Sequence, residues 1–224
     1  MLASECQPIT FAFGLLEAGL EAVAGELRSW YGQQPAGHRL VPVTGSLPAL
    51  LRQLEPLSAP SFKRLWVSTS SNRWRTAYFD GFINGGDPFP PVSYLATRLS
   101  VHGVTVTSQP DSRRCYGANK LELYGPRTTE WLNLVWCVAA FNDGGRWVWR
   151  HVGSERPFEE PAAYESRRVK ARFTPDMLRR YCGALEIPLE VDGYGPDALL
   201  DLPAGVETTQ RRESLGEARV RYGL

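Results

Sequence analysis

The sequence predicts an α+β fold in which antiparallel β-hairpins form a sheet packed against amphipathic helices. Three observations predict it. Apolar residues recur at three- and four-residue steps in several segments, as they do on one face of a helix. Elsewhere β-branched and aromatic residues alternate with polar ones, and pairs of such runs flank short clusters of Gly, Ser, Asn and Asp, as in hairpins. The 224 residues are 43% hydrophobic and 22% charged, ordinary values for a folded globular chain, which excludes a disordered or fibrous one.

Residues 14–31 read as a helix because Leu16, Leu20, Val23, Leu27 and Trp30 share one face while Glu17, Glu21 and Glu26 fall mainly on others. Residues 39–43 suggest a short strand, and Pro42, which has no N–H for a ladder, demotes it to a sheet edge. Ser46 offers a cap to a helix carrying Leu47, Leu50, Leu51 and Leu54 that stops before Pro56. Residues 62–68 and 73–80 form an expected hairpin around Ser70, Ser71 and Asn72. A Gly/Pro loop follows (81–91), and Pro90 or Pro91 opens a helix whose inward side is Val92, Leu95, Ala96 and Leu99.

Residues 103–107 and 120–124 alternate with period two and are expected as strands. The strongest hairpin signal joins residues 131–141 and 146–152 through Asn142-Asp143-Gly144-Gly145, a turn rich in residues that tolerate positive φ. On its second strand Trp147 and Trp149 share the packed or ligand-facing side, opposite Val148 and Arg150. Residues 161–172 are expected to be helical. Thr174-Pro175 then starts a helix with a buried stripe of Met177, Leu178, Tyr181 and Leu185. After residue 196 the chain reads as polar. The expected organisation is one α+β domain over 1–205, either undivided or as two interlocked halves split near 108–117, with a loosely held C-terminal tail at 206–224.

Charge selects no partner class, because 25 basic residues face 24 acidic ones. The distribution is uneven: residues 61–120 hold 8 basic and 3 acidic side chains, residues 181–224 hold 4 and 8. The start of the chain lacks a basic n-region and an uninterrupted apolar run, and no window is long and apolar enough to span a bilayer, so no membrane association and a cytoplasmic location are expected. Cys6, Cys115, Cys137 and Cys182 are widely spaced; four reduced thiols are the simpler reading, with two disulfides as the alternative.

No motif announces chemistry. His38, His102 and His151 have no ligand-like spacing, so no metal is expected, and neither a phosphate-binding loop nor GxSxG occurs; hence no catalytic residue and no cofactor are assigned. Cys115, beside Arg113 and Arg114, is the one thiol that neighbouring cations could acidify. The basic run at 167–172 could meet phosphates along a helix face, yet Glu159, Glu160 and Glu165 offset it, so nucleic acid is not the expected partner.

Residues 74–99 (WRTAYFDGFINGGDPFPPVSYLATRL), with Gly103-Val104, residues 141–147 (FNDGGRW), residues 158–161 (FEEP) and Phe173-Thr174-Pro175, resemble bacterial proteins similar to immunity proteins of polymorphic toxin systems, including those of Rhs type tied to type VI secretion. The resemblance covers roughly residues 62–186 and is carried by structural motifs. It implies a cytosolic protein that binds one cognate toxin domain, such as an ADP-ribosyltransferase or a nuclease, and blocks its active site. Expected partner-binding residues come from loops: Glu155, Glu159 and Glu160 as an acidic face for a basic cleft, with Phe82, Asp87, Arg113 and Arg114. The competing readings are a hydrolase or transferase with a site assembled from residues 80–87 and 111–116, and a nucleic-acid-associated regulator using the basic middle.

Overall fold

Residues 14–16, expected in the first turn of a helix, belong instead to strand β1 (Ala12–Leu16), and helix α1 (Leu20–Tyr31) begins four residues later in the computed structural model, which describes residues 2–32, 37–61, 63–203 and 211–224. Every residue of β1 is buried. A strand covered on both faces is apolar throughout, so its sequence cannot be told from a buried helical turn. The chain continues through β2 (His38–Thr44), α2 (Leu47–Arg52), β3 (Leu57–Ser58), β4 (Arg64–Thr69), β5 (Thr76–Asp80) and α3 (Phe89–Arg98). Next come β6 (Gly103–Gln109), β7 (Ala118–Thr129), β8 (Leu132–Asp143) and β9 (Arg146–Val152). Two helices, α4 (Pro161–Tyr164) and α5 (Pro175–Ala184), precede β10 (Tyr194–Pro203), β11 (Arg212–Glu213) and α6 (Leu215–Tyr222).

Nine strands form one sheet in the order β2-β10-β4-β5-β1-β6-β7-β8-β9, antiparallel at every pairing, while β3 pairs separately with β11. The expected hairpins β4–β5 and β8–β9 are both present, and β2 with its Pro42 lies at the sheet edge. In the turn of β8–β9, Gly144 and Gly145 have φ of 60° and 98°, the left-handed values that a two-residue connection between twisted strands demands. Phe62, the expected start of the first hairpin, lies outside the described residues. Residues 110–117 join neighbouring strands β6 and β7 of this continuous sheet.

The larger core lies on one face. There Phe13, Leu65, Phe79, Val106, Leu121 and Trp136 meet Leu50 and Leu51 of α2, Leu178 and Tyr181 of α5, and Leu215 and Ala218 of α6. Trp147 and Trp149 join this face, half-buried, as their alternation predicted. On the opposite face α1 and α3 bury Val23, Leu27, Val92 and Leu95 against Leu16, Trp66 and Tyr78. Gly14 and Gly103 make room for α3: a Cβ at either would lie 2.3 or 2.7 Å from a Val92 methyl. Helix α3 packs on β1, β6 and β7 of this face, and side chains further along β6, β7 and β8 line an open cleft.

Three expectations are corrected. Residues 161–172 supply only the single turn α4 and a 3-10 turn at Val169–Ala171, because Tyr164 is tied down by Glu159 and the Arg172 guanidinium donates to the Ser166 carbonyl at 2.8 Å. Residues 197–203, read as polar, belong to β10, an interior strand whose Asp201 is fully buried. It is held by the Tyr31 hydroxyl, by His38 Nδ1 at 2.9 Å and by Arg64 Nη1 at 3.7 Å. Finally, residues 211–224 are not loose. Ser214 and Glu217 close a capping box, Arg221 pairs with Glu213, and Arg219 donates to the Ser4 carbonyl at 2.8 Å. Residues 206–210 of the expected tail lie outside the described residues.

Candidate functional site

Strands β6 to β9 turn one set of alternating side chains to the core and the other to the open face. On that face Thr105, Thr107, Lys120, Glu122 and Phe141 floor a cleft of about 420 Å³, walled by residues 85–89 and by Tyr116. A neighbouring cavity of about 330 Å³ is lined by Phe89, Glu122, Tyr124, Glu130, Trp131, Leu132, Leu134 and Arg150. The two share Phe89 and Glu122 and make one groove across the sheet.

Each wall is held by local structure. Asp80, 3% exposed, pins the 81–87 loop: its carboxylate accepts the Phe82 N–H at 2.8 Å and the Asp87 N–H at 2.9 Å, with the Tyr78 hydroxyl at 3.2 Å. Burial pushes the pKa of Asp80 up, although those hydrogen bonds oppose it. Gly86, at φ 87°, lets the loop lie against Ala12, whose carbonyl would be 2.8 Å from any Cβ there. Phe89 stands at the start of α3, its ring 5.6 Å from that of Tyr124. On the far side Ser112 and Cys115 exchange backbone hydrogen bonds at 2.9 and 3.3 Å, closing a turn with Arg113 and Arg114 at its tip and Tyr116 just beyond.

The β7–β8 turn builds the third wall. Thr129 Oγ1 accepts the Trp131 N–H at 3.2 Å and donates to the Leu134 carbonyl at 3.0 Å, while Leu132 takes a left-handed φ of 62°. A leucine in that region costs about 1 kcal/mol or more, a strain that ordinary turn residues would avoid. The outcome is that Trp131 and Leu132, 65% and 63% exposed, project at the groove's end. Tyr116 and Phe89 are exposed as well, so four of the six large apolar side chains exposed among the described residues border this groove.

The floor is charged. Lys120 Nζ sits 4.3 Å from the centre of the Phe141 ring, and Glu122 accepts the Thr105 hydroxyl at 3.1 Å. Among the described residues, neither these two nor Arg150 has an ion-pair partner. Cys137 lies under Glu122, and burial first, then that carboxylate, push its thiol up to about 12. Burial likewise raises Cys115, and Arg113 and Arg114 beside it are exposed, so the one thiol that neighbouring cations could have acidified is a buried, ordinary cysteine. All four cysteines are free and buried.

The expected site residues scatter. Asp87 is exposed and lines the larger cleft; Phe82 lines a separate depression of about 230 Å³ with Arg64, Tyr78 and Asp80. Arg113 and Arg114 are exposed near Tyr116, and Arg114 donates to the Val220 carbonyl at 2.9 Å. Glu155 is exposed but lines neither part of the groove.

Glu159 and Glu160 do not form an acidic face with it. Glu159 is 8% exposed and accepts from Trp136 Nε1 (2.8 Å), the Arg156 N–H (2.7 Å), the Tyr164 hydroxyl (2.8 Å) and His151 Nε2 (2.9 Å). Glu160 pairs with Arg180. Each histidine is bound to its own carboxylate, His38 to Asp201, His102 to Glu17 and His151 to Glu159, so the three are not gathered.

Sequence reasoning included Tyr116 only within the 111–116 loop of the enzyme reading, and missed Phe89, Trp131, Leu132, Lys120 and Glu122. The available signal was the alternation of residues 120–124 (KLELY), which already placed Lys120 and Glu122 on a wet face. Comparison of the chain with protein-family models, with curated proteins and with solved structures returns no match.

Proposed function

We propose that the chain is an immunity protein that seats a cognate toxin domain on the open β6–β9 face and so occludes the toxin's active site. The observation that carries the binding reading is the groove itself: Tyr116, Phe89, Trp131 and Leu132 are exposed around one concave, partly charged floor. Large aromatic side chains around a desolvating pocket are the residues that dominate protein interfaces. Scattered exposed hydrophobics need no explanation, but a cluster does. The toxin as occupant is supported by the sequence resemblance, since residues 85–89 and 141–142, which help carry it, line the cleft.

The test is co-expression with toxin domains encoded beside the gene, scored by survival, together with affinity capture. The reading predicts rescue by the native chain and loss of both rescue and capture with Tyr116→Ala/Trp131→Ala. Rescue undiminished in that variant would remove this face, and absence of rescue by the native chain would remove the immunity role.

The enzyme reading retains one observation: the 80–87 and 111–116 loops do face the same cleft, over Lys120 and Glu122. A saturable small-molecule ligand in that cleft, with turnover lost in Lys120→Met, would shift the assignment to it.

A further inference from the structure

The cavity at the Trp131 end of the groove combines two kinds of wall. Three aromatic rings, Phe89, Tyr124 and Trp131, meet two carboxylates, Glu122 and Glu130, in a space of about 330 Å³. Aromatic faces attract cations through the ring quadrupole, and carboxylates add charge and hydrogen-bond acceptance. The resident cation is Arg150, exposed, with no carboxylate paired to it among the described residues. Two carboxylates against one guanidinium leave the cavity one positive charge short of neutral.

Glu122 makes the requirement specific. It is half-buried, and among the described residues its oxygens receive the Thr105 hydroxyl at 3.1 Å, a side-chain hydrogen bond from Tyr124 and a distant thiol contact from Cys137 at 4.0 Å, which leaves acceptor capacity open. A carboxylate can accept about four hydrogen bonds. Its neighbour Lys120 does not supply them, being placed over Phe141. An apolar side chain seated here would strip water from Glu122 without replacing it, and an anion would meet two like charges. A planar guanidinium satisfies both walls at once, stacking on a ring while it donates two parallel N–H groups to the carboxylate.

We infer that this cavity receives an arginine side chain of the partner protein, held between the Phe89, Tyr124 and Trp131 rings and paired with Glu122. The inference rests on the protein-binding reading of the groove and names the chemistry the partner must present there.

The test titrates the chain with N-acetyl-arginine methylamide and with its neutral near-isostere N-acetyl-citrulline methylamide, following the Trp131 indole N–H resonance. The expected result is a saturable shift with the arginine probe, weakened about tenfold or more by loss of the probe's charge or by Glu122→Gln. Unchanged dispersion of the remaining resonances shows that Glu122→Gln is folded. Equal response to both probes, an unaltered titration in Glu122→Gln, or no saturable shift would overturn the proposal. A partner that is released by Trp131→Ala and retained by Glu122→Gln would overturn the arginine and leave the binding face intact. Specific arginine binding without toxin rescue would support the cavity while removing the immunity role.

Discussion

Replacing Glu159 by alanine should unfold the corner where β8, β9, α4 and α5 meet. The carboxylate accepts four hydrogen bonds there, and the substitution strands their donors unequally. Tyr164 can turn its hydroxyl to Tyr181, 2.9 Å away, and His151, with 22% of its side chain exposed, can reach water. Trp136 Nε1 has no such alternative, since Trp136 is 1% exposed, whereas the Arg156 N–H is only part-buried. One buried unsatisfied donor costs about 1–3 kcal/mol, and the void left by the side chain adds to that, giving about 2–4 kcal/mol. Glu159→Gln should cost far less. Its amide oxygen can keep Trp136 and Arg156 while its NH₂ turns to Tyr164 and His151, both of which can accept. With a urea m-value of about 3 kcal/mol/M, the alanine variant's midpoint should fall by about 0.7–1.3 M, read from tryptophan fluorescence and far-UV circular dichroism. A shift equivalent to less than about 0.5 kcal/mol, the range of ordinary surface substitutions, would refute the anchoring role. Glu155→Lys serves as the exposed comparison and should leave the midpoint in place.

The groove rim should separate stability from binding. Trp131→Ala should change stability by no more than about 0.5 kcal/mol while weakening partner binding by about 2 kcal/mol, roughly thirtyfold, as measured by calorimetry on the captured complex. Leu132→Gly should relieve the left-handed backbone and gain up to about 1 kcal/mol in unfolding free energy, yet bind less tightly. Gly86→Ala forces a side chain onto a φ of 87° and against the Ala12 carbonyl, and should lower the thermal midpoint by an amount equal to about 1–3 kcal/mol. The pH dependence should show Glu17. Burial tends to raise its pKa, but hydrogen bonds from His102 and Arg73 outweigh this and hold it below 4.5. Its stabilisation is complete above the unfolded carboxylate range and is lost as pH falls through the depressed native pKa, so the deficit of Glu17→Gln in chemical denaturation should be present at neutral pH and shrink as pH falls below the ordinary carboxylate range.

Local rules located most elements. Gly144 and Gly145 dictated a tight turn whatever lay around them, Pro42 forced an edge position, and Thr174 with Pro175 capped α5, the Thr174 hydroxyl accepting the Met177 N–H. Each depends on backbone geometry within a few residues, so it is legible in a short window. Strand β1 was not, because burial on both faces erases the alternation that marks a strand. Strand β10 was not, because a charged Asp201 argues for water until its partners are known, and Tyr31 and His38 lie 170 and 163 residues away in sequence. The acidic loop failed for the same reason. Glu155, Glu159 and Glu160 look alike in sequence, yet one is exposed, one is a buried acceptor of four donors and one is tied to Arg180.

By itself, then, the sequence determined the α+β class and the hairpins and helices whose signals are local. Only the tertiary structure decided which surface is left open. That surface is set by where α1 and α3 end on the sheet, and by loops at 85–89, 112–116 and 130–132 that border the groove. Exposure is a property of what other segments fail to cover, and no window of residues contains that information.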